Sequence, residues 1–508
     1  MESNNKRIAK NTVLLYVRMF FIMLVSLYTS RVILDVLGVD DYGIYQSVCG
    51  IVGFLSFLNG ALGTGTSRFL TFELGTGNFE KLKKTFSTTI SVHLILGLII
   101  LLVAETGGLW FVYNKLQIPA ERFEDAVFAF HFSILTAICS ILIVPFNAAI
   151  IAHERMSFFA YIGIAEVVCK LGVVYMLAIG NIDKLRLYSI LLFVVQTIIL
   201  LLYIFYCRKN IPESKAKPSI DKSIFKDIMS FSGWSLFSGG SIALNNQGII
   251  VLLNMFFTPA IVVSRTISIQ VNSATTQFVT NFRTAVNPQI VKKYAAKDYE
   301  GSASLLLEST KFSYYLTFIL SLPLYFLAYP ILNLWLGQVP EYCEAFLKII
   351  LIQGLFQVFD TSLYVALYAK GQLKENALIS PTLGLLTFPI VYVLFRLGYS
   401  PLAMSWAFVI YNALLALLVK PALLVKIVNY SWKSIFSMFI TCGLVTIVSL
   451  PIPIILSLLL DTSNNLLHAI IMLVVSILTV LLAVWFVGLT KNQKNELISY
   501  LKRIVTKK

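Results

Sequence analysis

The chain has 508 residues, of which 58% are hydrophobic and only 13% are charged, and its mean hydropathy is +0.82. Soluble domains contain about 45–50% apolar and about 25% charged residues, so this composition excludes a water-soluble protein. The formal net charge of +15 does not indicate nucleic-acid binding, because no basic soluble segment is long enough to form a binding domain.

Long apolar segments follow one another along the whole chain. A membrane span needs roughly 20 mostly apolar residues, and its backbone groups must be paired internally. Barrel strands would alternate over about 10 residues, whereas these segments are continuous and longer, so we predict α-helices. The first apolar segment is too long for a signal-peptide core, and we expect the mature protein to retain it as a helix. The fourteen predicted spans are 12–34, 42–65, 86–106, 126–150, 157–180, 187–207, 228–254, 259–284, 310–334, 345–369, 376–396, 401–422, 435–459 and 466–489.

The basic residues determine the predicted orientation of these spans. With the N-terminus on the cytoplasmic side, 30 of the 40 Lys and Arg residues fall in cytoplasmic segments and five in periplasmic loops. An even number of spans then returns the basic C-terminal tail to the cytoplasm. We therefore expect a multi-pass protein of the bacterial inner membrane with both termini cytoplasmic, whose basic face lies against anionic headgroups.

A polar connection divides the predicted spans into two groups. Residues 208–227 follow the sixth span and contain two prolines and six basic residues. The segments GNFE at 77–80 and KDYE at 297–300 each follow the second helix of a group, as an internal repeat would place them. We predict two pseudo-symmetric six-helix lobes followed by a helix pair. The predicted parts are an N-terminal lobe at 1–210, a cytoplasmic linker at 211–227, a C-terminal lobe at 228–425, and the last two helices with the basic tail at 426–508.

The eighth predicted span, 259–284, has an extended polar face. Arg265, Asn272 and Arg283 recur at helical spacing together with Ser268, and Gln277 broadens the face. Ionisable residues within a span cost about 2.5–3.5 kcal/mol each on insertion scales, and they usually face a cavity or the bundle interior. The pattern indicates a cavity wall that binds an oxygen-rich substrate. The structural alternative is interhelical hydrogen bonding, worth about 0.6 kcal/mol per contact.

Three other predicted spans carry polar side chains at membrane depth. Arg18 lies about six residues into the first span, where it either lines a cavity or extends to the interface. Asn245 and Asn246 are adjacent in the seventh span, so at least one of them should face the interior. Gln353 and Gln357 share one face of the tenth span. The predicted substrate-binding set is completed by Arg265, Asn272 and Gln277.

Acidic residues within the spans indicate either ion coupling or ion pairing. Asp360 lies about midway along the tenth span. A carboxylate at this depth is a candidate for binding a coupling ion, or for a permanent salt bridge with Arg265 or Arg18. Glu166 and Lys170 stand four residues apart in the fifth span, which favours an ion pair within that helix.

Patterns typical of soluble-enzyme chemistry are absent from the sequence. It contains no Walker A motif, no GxGxxG opening a helix after a strand and no G-x-S-x-G, and its His and Cys residues lack metal-ligand spacing. We therefore expect no enzyme activity, no catalytic residue, no metal and no cofactor. Transport would then use a proton or sodium gradient, the membrane potential or the gradient of the substrate itself.

Several local stretches resemble a known transporter family. The run SRVILDVLGVDDYGIY at 30–45 closely matches the family's start of the second helix. NGALGTGTSRF at 59–69 and NPQ at 287–289 are weaker matches. With fourteen spans and a joint after the sixth, most of the chain resembles the O-antigen and polysaccharide flippases of the multidrug/oligosaccharidyl-lipid/polysaccharide (MOP) exporter superfamily.

That resemblance implies two lobes around a central cavity that opens alternately to each side. The implied substrate is an undecaprenyl-pyrophosphate-linked oligosaccharide, moved from the cytoplasmic to the periplasmic leaflet for O-antigen, lipopolysaccharide or capsule biosynthesis. Its pyrophosphate suits Arg18 and Arg265, and its sugars suit amides and aromatic rings. The implied partners are this lipid-linked glycan, membrane lipids, a polysaccharide polymerase and chain-length machinery. The last two helices would help to shape a groove for the lipid tail.

Two alternatives stay open. Cation-coupled multidrug exporters of the same superfamily tend to place a carboxylate in the first helix, whereas residues 12–34 include arginines and no acid. A membrane glycan polymerase or ligase would carry a large periplasmic loop, and the longest one predicted here, 106–125, has only about 20 residues.

Overall fold

The computed structural model is helical throughout the part of the chain that it describes. It describes residues 2–54, 57–153, 155–177, 182–372, 374–462, 465–495 and 498–499, although some side chains in these ranges, 2–17 and 229–238 among them, lie outside the description. These ranges form nineteen α-helices and contain no strand. The predicted all-α, polytopic membrane class is confirmed. Its physical reason is that a helix pairs its own backbone groups where lipid offers none.

The helices are numbered in chain order. Their bounds are α1 Glu2–Phe54, α2 Phe57–Thr76, α3 Phe79–Val103, α4 Leu109–Lys115, α5 Phe123–Ala152, α6 Met156–Met176, α7 Lys184–Asn210, α8 Lys222–Ala243, α9 Ile249–Phe256, α10 Pro259–Ala295, α11 Tyr299–Phe326, α12 Ala328–Leu336, α13 Cys343–Lys370, α14 Lys374–Arg396, α15 Leu402–Leu414, α16 Lys420–Leu423, α17 Trp432–Ser449, α18 Pro451–Leu459 and α19 Leu466–Ala483. Short π-helical turns continue several of them, at Ala104–Gly108, Leu244–Gly248, Leu415–Val419, Leu424–Val428 and Val484–Gly488.

Many of these helices have the length and composition of membrane spans. Among the described residues, ten helical segments are long and apolar enough to cross a membrane, and the bent pair of α11 and α12 makes eleven. They correspond to eleven of the fourteen predicted spans. The described residues of the other three predicted spans, 42–65, 228–254 and 259–284, also fall on helices, whereas residues 55–56 of the first of these lie outside the described ranges. Amide and hydroxyl side chains lower the hydropathy of α10 and of the turn that joins α8 to α9.

The first two predicted spans are connected differently from the prediction. The sequence predicted a connecting segment between residues 34 and 42, whereas α1 is interrupted only at Gly38. Gly38 has a φ of 82° and a ψ of 169°, a conformation that glycine adopts readily because it has no Cβ. The chain therefore passes from one helical segment to the next through a single residue.

The helices form two compact units. The first comprises Met1–Thr266 and Pro381–Pro401, and the second comprises Ile267–Ser380 and Leu402–Lys508. Each unit has an apolar core of its own. Phe130 and Ile134 lie in the core of the first, and Phe359 and Leu363 lie in the core of the second. The predicted lobes at 1–210 and 228–425, and the linker between them, stay predictions.

An ion-pair cluster joins three helices of the first unit at one end. Arg122, just before α5, donates two hydrogen bonds to Asp41 of α1, from Nε at 2.8 Å and from Nη2 at 2.6 Å. Its Nη1 lies 2.7 Å from Asp125 and 2.6 Å from Asp183, which caps α7. Arg186 also contacts Asp125. We call these residues the Arg122 cluster, and it fixes the segment of α1 just after Gly38 and the starts of α5 and α7 relative to one another.

Candidate functional site

In the first unit, Arg18 of α1 lies against α6. Its guanidinium carbon is 4.2 Å from the centre of the Phe159 ring, which is a cation–π contact. Gly163 permits this approach, because a Cβ at that position would lie 2.5 Å from Arg18 Nε. That Nε is buried and has no hydrogen-bond partner among the described residues, so it can donate to an anion.

Glu166 and Lys170 lie further along the same side of α6. Lys170 Nζ donates a hydrogen bond of 2.6 Å to Glu166 Oε1, the ion pair within the helix that their spacing favours. Glu166 is also an electrostatic neighbour of Arg18. The fold thus brings Arg18 from α1 together with the Glu166–Lys170 pair, and the group as a whole has two cations and one carboxylate.

Arg265 of α10 is a buried cation. The residue is only 4% exposed, and its Nε and Nη1 have no hydrogen-bond partner within the described part of the chain. Among the same residues, no carboxylate oxygen lies within 4.0 Å of it. Because an uncompensated charge in a low-dielectric interior is costly, we expect an anionic group to complete this site.

The predicted amides of the seventh span lie on a π-helical turn. Leu244–Gly248 joins α8 to α9, so Asn245 and Asn246 stand where the regular helix widens by one residue. Asn245 Oδ1 is buried without a hydrogen-bond partner among the described residues, whereas Asn246 is exposed. Asn245 is therefore the inward-facing member of the pair. Single π-helical turns occur frequently at functional sites.

In the second unit, the predicted amides lie on α10 and α13. The Oδ1 atom of Asn272 lies 3.1 Å from the position that a Cβ of Gly354 would occupy, so the amide of α10 rests on the backbone of α13. Gln353 Oε1 is buried and has no hydrogen-bond partner in the described ranges. Gln277 and Gln357 are partly buried.

Asp360 of α13 forms an ion pair with Lys420, at the start of α16. Lys420 Nζ lies 3.0 Å from Asp360 Oδ1, donates to the side-chain oxygen of Asn376, and lies over the ring of Tyr364. The predicted partners, Arg265 and Arg18, are not the residues found here. Lys420 falls near the end of the predicted span 401–422, and it is only 2% exposed.

Arg283 of α10 adds a second cation to this group. Its Nη2 donates to the backbone carbonyl of Thr361, and Asp360 is its electrostatic neighbour. Its Nε is buried and unbonded among the described residues. Sequence reasoning placed Arg283 on the polar face of its span but left it out of the binding set, and its helical register with Arg265 was the signal that could have included it. No group of His, Cys, Asp or Glu in the described chain could hold a metal.

The ion pair between Asp360 and Lys420 can be tested by measuring the stability of protein variants. Asp360→Asn should destabilise the protein by about 3–5 kcal/mol, because it leaves the buried Lys420 ammonium without a carboxylate. The double variant Asp360→Asn/Lys420→Met removes both charges and should recover most of that loss. Thermal melting of the purified proteins measures both effects. A single variant that melts like the wild type would contradict the pairing.

Comparison with known proteins defines the fold. No family model matches this sequence, and no curated protein sequence matches it either. Among solved structures, the lipid II flippase MurJ in an inward closed conformation is 15% identical, with a TM-score of 0.69, over 93% of this chain and 98% of that one. An inward-facing multidrug resistance MATE family transporter of the MOP superfamily is 14% identical, with a TM-score of 0.64, over 82% of this chain and 99% of that one.

The chain has the fold of MOP-superfamily transporters. A third example, a MOP superfamily transporter from Pyrococcus furiosus, is 15% identical, with a TM-score of 0.58, over 83% of this chain and 97% of that one. The predicted resemblance to this superfamily is therefore supported at the level of the fold, and the multi-pass membrane architecture agrees with it.

Proposed function

We propose that this protein is a flippase that moves an undecaprenyl-pyrophosphate-linked oligosaccharide from the cytoplasmic to the periplasmic leaflet of the bacterial inner membrane, for O-antigen or capsule biosynthesis. The observation that carries the proposal is Arg265, a buried guanidinium that has no carboxylate beside it in the described chain. A pyrophosphate supplies the missing anion, and its oxygens match the planar fork of guanidinium donors. The likeness in fold to a lipid II flippase supports a lipid-linked cargo.

The balance of charge in each unit also favours an anionic cargo. In the first unit, Arg18 and Lys170 share one carboxylate, Glu166. In the second, Arg283 and Lys420 share Asp360. Both groups have an excess positive charge, which attracts a pyrophosphate and repels a cationic drug.

The unbonded amide oxygens suit the glycan part of the cargo. Asn245 Oδ1 and Gln353 Oε1 are buried acceptors without partners among the described residues. Sugar hydroxyls are donors that would satisfy them, and a buried acceptor left unpaired costs about 1–3 kcal/mol. Binding of an oligosaccharide would therefore remove the free-energy cost of these unpaired acceptors.

We propose alternating access, coupled to a proton or sodium gradient through Asp360, with both termini in the cytoplasm. Neutralising Asp360 would release Lys420 from its ion pair. Binding of the coupling ion at Asp360 would in this way shift the equilibrium between the two conformations. The released ammonium could then bind the anionic cargo. A polysaccharide polymerase and chain-length machinery would use the flipped glycan on the periplasmic side.

The second candidate is a cation-coupled multidrug exporter. It is favoured by structures of the same fold, among them the MATE family transporter above and the MATE multidrug transporter DinF-BH. Against it stand the excess positive charge near Arg18 and the absence of acidic residues from 12 to 34.

One experiment distinguishes the two candidates. The gene is expressed in a strain that lacks its polysaccharide flippase and in a strain that lacks its drug exporters. We expect surface polysaccharide to return in the first strain, with no gain in resistance to cationic drugs in the second. Drug resistance without any polysaccharide would favour the exporter and contradict the proposed flippase.

A further inference from the structure

A polar pocket lies between α11 and α17, two helices of the second unit. It has a volume of about 630 Å³ and is lined by the end of α10, the first part of α11 and the start of α17. On α17, Ser434, Ser437 and Thr441 recur at three- and four-residue steps and form one hydroxyl-bearing face. Another face of α17 is buried, at Met438 and Val445 among others. A third face is apolar and exposed, as at Ile440 and Ile447. A helix with a lipid-facing side thus turns its polar side to an open pocket.

Two opposite charges on α11 line this pocket without pairing. Glu308 and Lys311 are both partly buried, and neither has an ion-pair partner among the described residues. They stand one helical turn apart, which places their Cβ atoms about 5–6 Å from each other. Glu300, which is exposed, adds a second carboxylate to the lining. The pocket therefore offers one cation and two carboxylates to a ligand.

The pocket lies at the level of the membrane interface. Trp432 is exposed at the first residue of α17, and Lys433 follows it, a combination that anchors helices at the headgroup layer. Thr441, the last hydroxyl-bearing residue of the pocket lining, is eight residues beyond Lys433, or about 12 Å along a helix. The proposed orientation places this end of α17 in the cytoplasmic leaflet.

An apolar groove follows the pocket along the same helices. It has a volume of about 490 Å³, and it is lined by Phe318 and Leu322 of α11, Leu355 of α13, Leu450 and Ile454. Thr446 of α17 also lines the groove, and its hydroxyl forms a hydrogen bond of 2.7 Å with that of Tyr314, three residues after Lys311 on α11. A polar pocket followed by an apolar groove matches a ligand that has a polar headgroup and a hydrocarbon chain.

We propose that the pocket between α11 and α17 binds the headgroup of an ethanolamine phospholipid from the cytoplasmic leaflet, with an acyl chain along the apolar groove. The ammonium group donates to Glu308 and Glu300. The phosphate accepts from Lys311 and from the Ser434 and Ser437 hydroxyls of α17, because Thr441 donates its own hydroxyl to the Ser437 carbonyl. The two-carbon link between ammonium and phosphate suits an acid and a base one helical turn apart. The excess of carboxylates disfavours a pyrophosphate, so this site is separate from the proposed cargo site at Arg265.

Thermal melting of the full-length purified protein in nanodiscs of defined lipid tests the site. We expect nanodiscs that contain phosphatidylethanolamine to raise the melting temperature above that in phosphatidylcholine or phosphatidylglycerol. Phosphatidylcholine lacks the N–H donors that Glu308 requires, and phosphatidylglycerol has no ammonium group. An equal or larger effect of phosphatidylglycerol would overturn the proposal in favour of a general anionic-lipid site.

Variants then localise the effect. Glu308→Gln and Lys311→Met should each weaken the apparent affinity for phosphatidylethanolamine about tenfold, as loss of one charge-assisted hydrogen bond predicts. Ser437→Leu, which obstructs the pocket without changing its charge, should weaken the affinity to a similar extent. This variant keeps the proposal testable if the charge variants misfold. Glu375→Gln and Lys426→Met change exposed charges outside the pocket and should leave the lipid effect unchanged. A lipid effect that survives all three pocket variants would overturn the site, whatever the outcome of the polysaccharide experiment.

Discussion

Replacing Arg265 by alanine is expected to reduce surface polysaccharide about a hundredfold or more in a flippase-null strain, while the protein is still inserted at normal levels. The guanidinium would donate at least two charge-assisted hydrogen bonds to the pyrophosphate, each worth about 1.5–3 kcal/mol. Removing a buried cation that has no carboxylate partner in the described chain leaves no acid uncompensated, so folding should not suffer. Membrane-fraction levels and surface polysaccharide are measured together.

Two further variants make this result specific. Arg265→Lys keeps the charge but loses the planar fork, so it should retain part of the activity. Arg31→Ala is the matched control, because Arg31 lies on α1 with its side chain 46% exposed and paired at 4.0 Å with Asp35. It should leave polysaccharide unchanged. Full activity in Arg265→Ala would assign Arg265 a structural role and remove the main support for the flippase.

Replacing Arg122 by alanine should cause a large loss of stability. Arg122 contacts Asp41, Asp125 and Asp183 at 2.6–2.8 Å, and all four side chains are less than one third exposed. The variant leaves three carboxylates close together without their shared cation. Breaking a buried pair costs about 3–5 kcal/mol, and partial exposure favours the lower end of that range. Thermal melting in detergent measures the loss.

The same cluster predicts a dependence on pH. Burial alone would raise the pKa of Asp183, but hydrogen bonds from Arg122 and from backbone N–H groups outweigh burial and hold that pKa below its ordinary value. A carboxylate whose pKa is lowered by folding stabilises the folded protein at pH values above its pKa in the unfolded chain, about 3.9. This stabilisation is lost as the pH falls through the pKa of the folded protein. The melting temperatures of wild type and Arg122→Ala should therefore converge below about pH 4.

A control separates the cluster from surface charge in general. Arg155 is an exposed arginine of the same unit, and its replacement by alanine should change stability by no more than about 0.5 kcal/mol. Equal melting temperatures for Arg122→Ala and Arg155→Ala would show that the Arg122 cluster adds nothing to the fold.

Local patterns in the sequence predicted one contact of the candidate site correctly. The spacing of Glu166 and Lys170 favours an ion pair, and the structure has it at 2.6 Å. Such a contact depends only on the geometry of one helix, where residues four apart are neighbours. The polar face of the eighth span likewise indicated the buried Arg265.

Contacts between helices were not predictable in the same way. The partner of Asp360 is Lys420, which lies in a different predicted span, 401–422. Arg122 meets Asp41 and Asp183 across 81 and 61 residues of chain. Periodicity along one helix carries no information on which other helix lies beside it, so these pairs had no signal in a single sequence.

The repeated crossing of the membrane by α-helices follows from the amino-acid sequence, because hydropathy and backbone pairing in lipid are properties of each segment alone. The sequence also determines which faces of those helices are polar. Which charges are neutralised depends on the packing of the helices and is visible only in the folded protein. Asp360 has Lys420 beside it, whereas Arg265 has no carboxylate among the described residues. The physical reason is that the energy of a buried charge depends on neighbours within a few ångströms, and the packing of helices, not the order of residues, selects those neighbours.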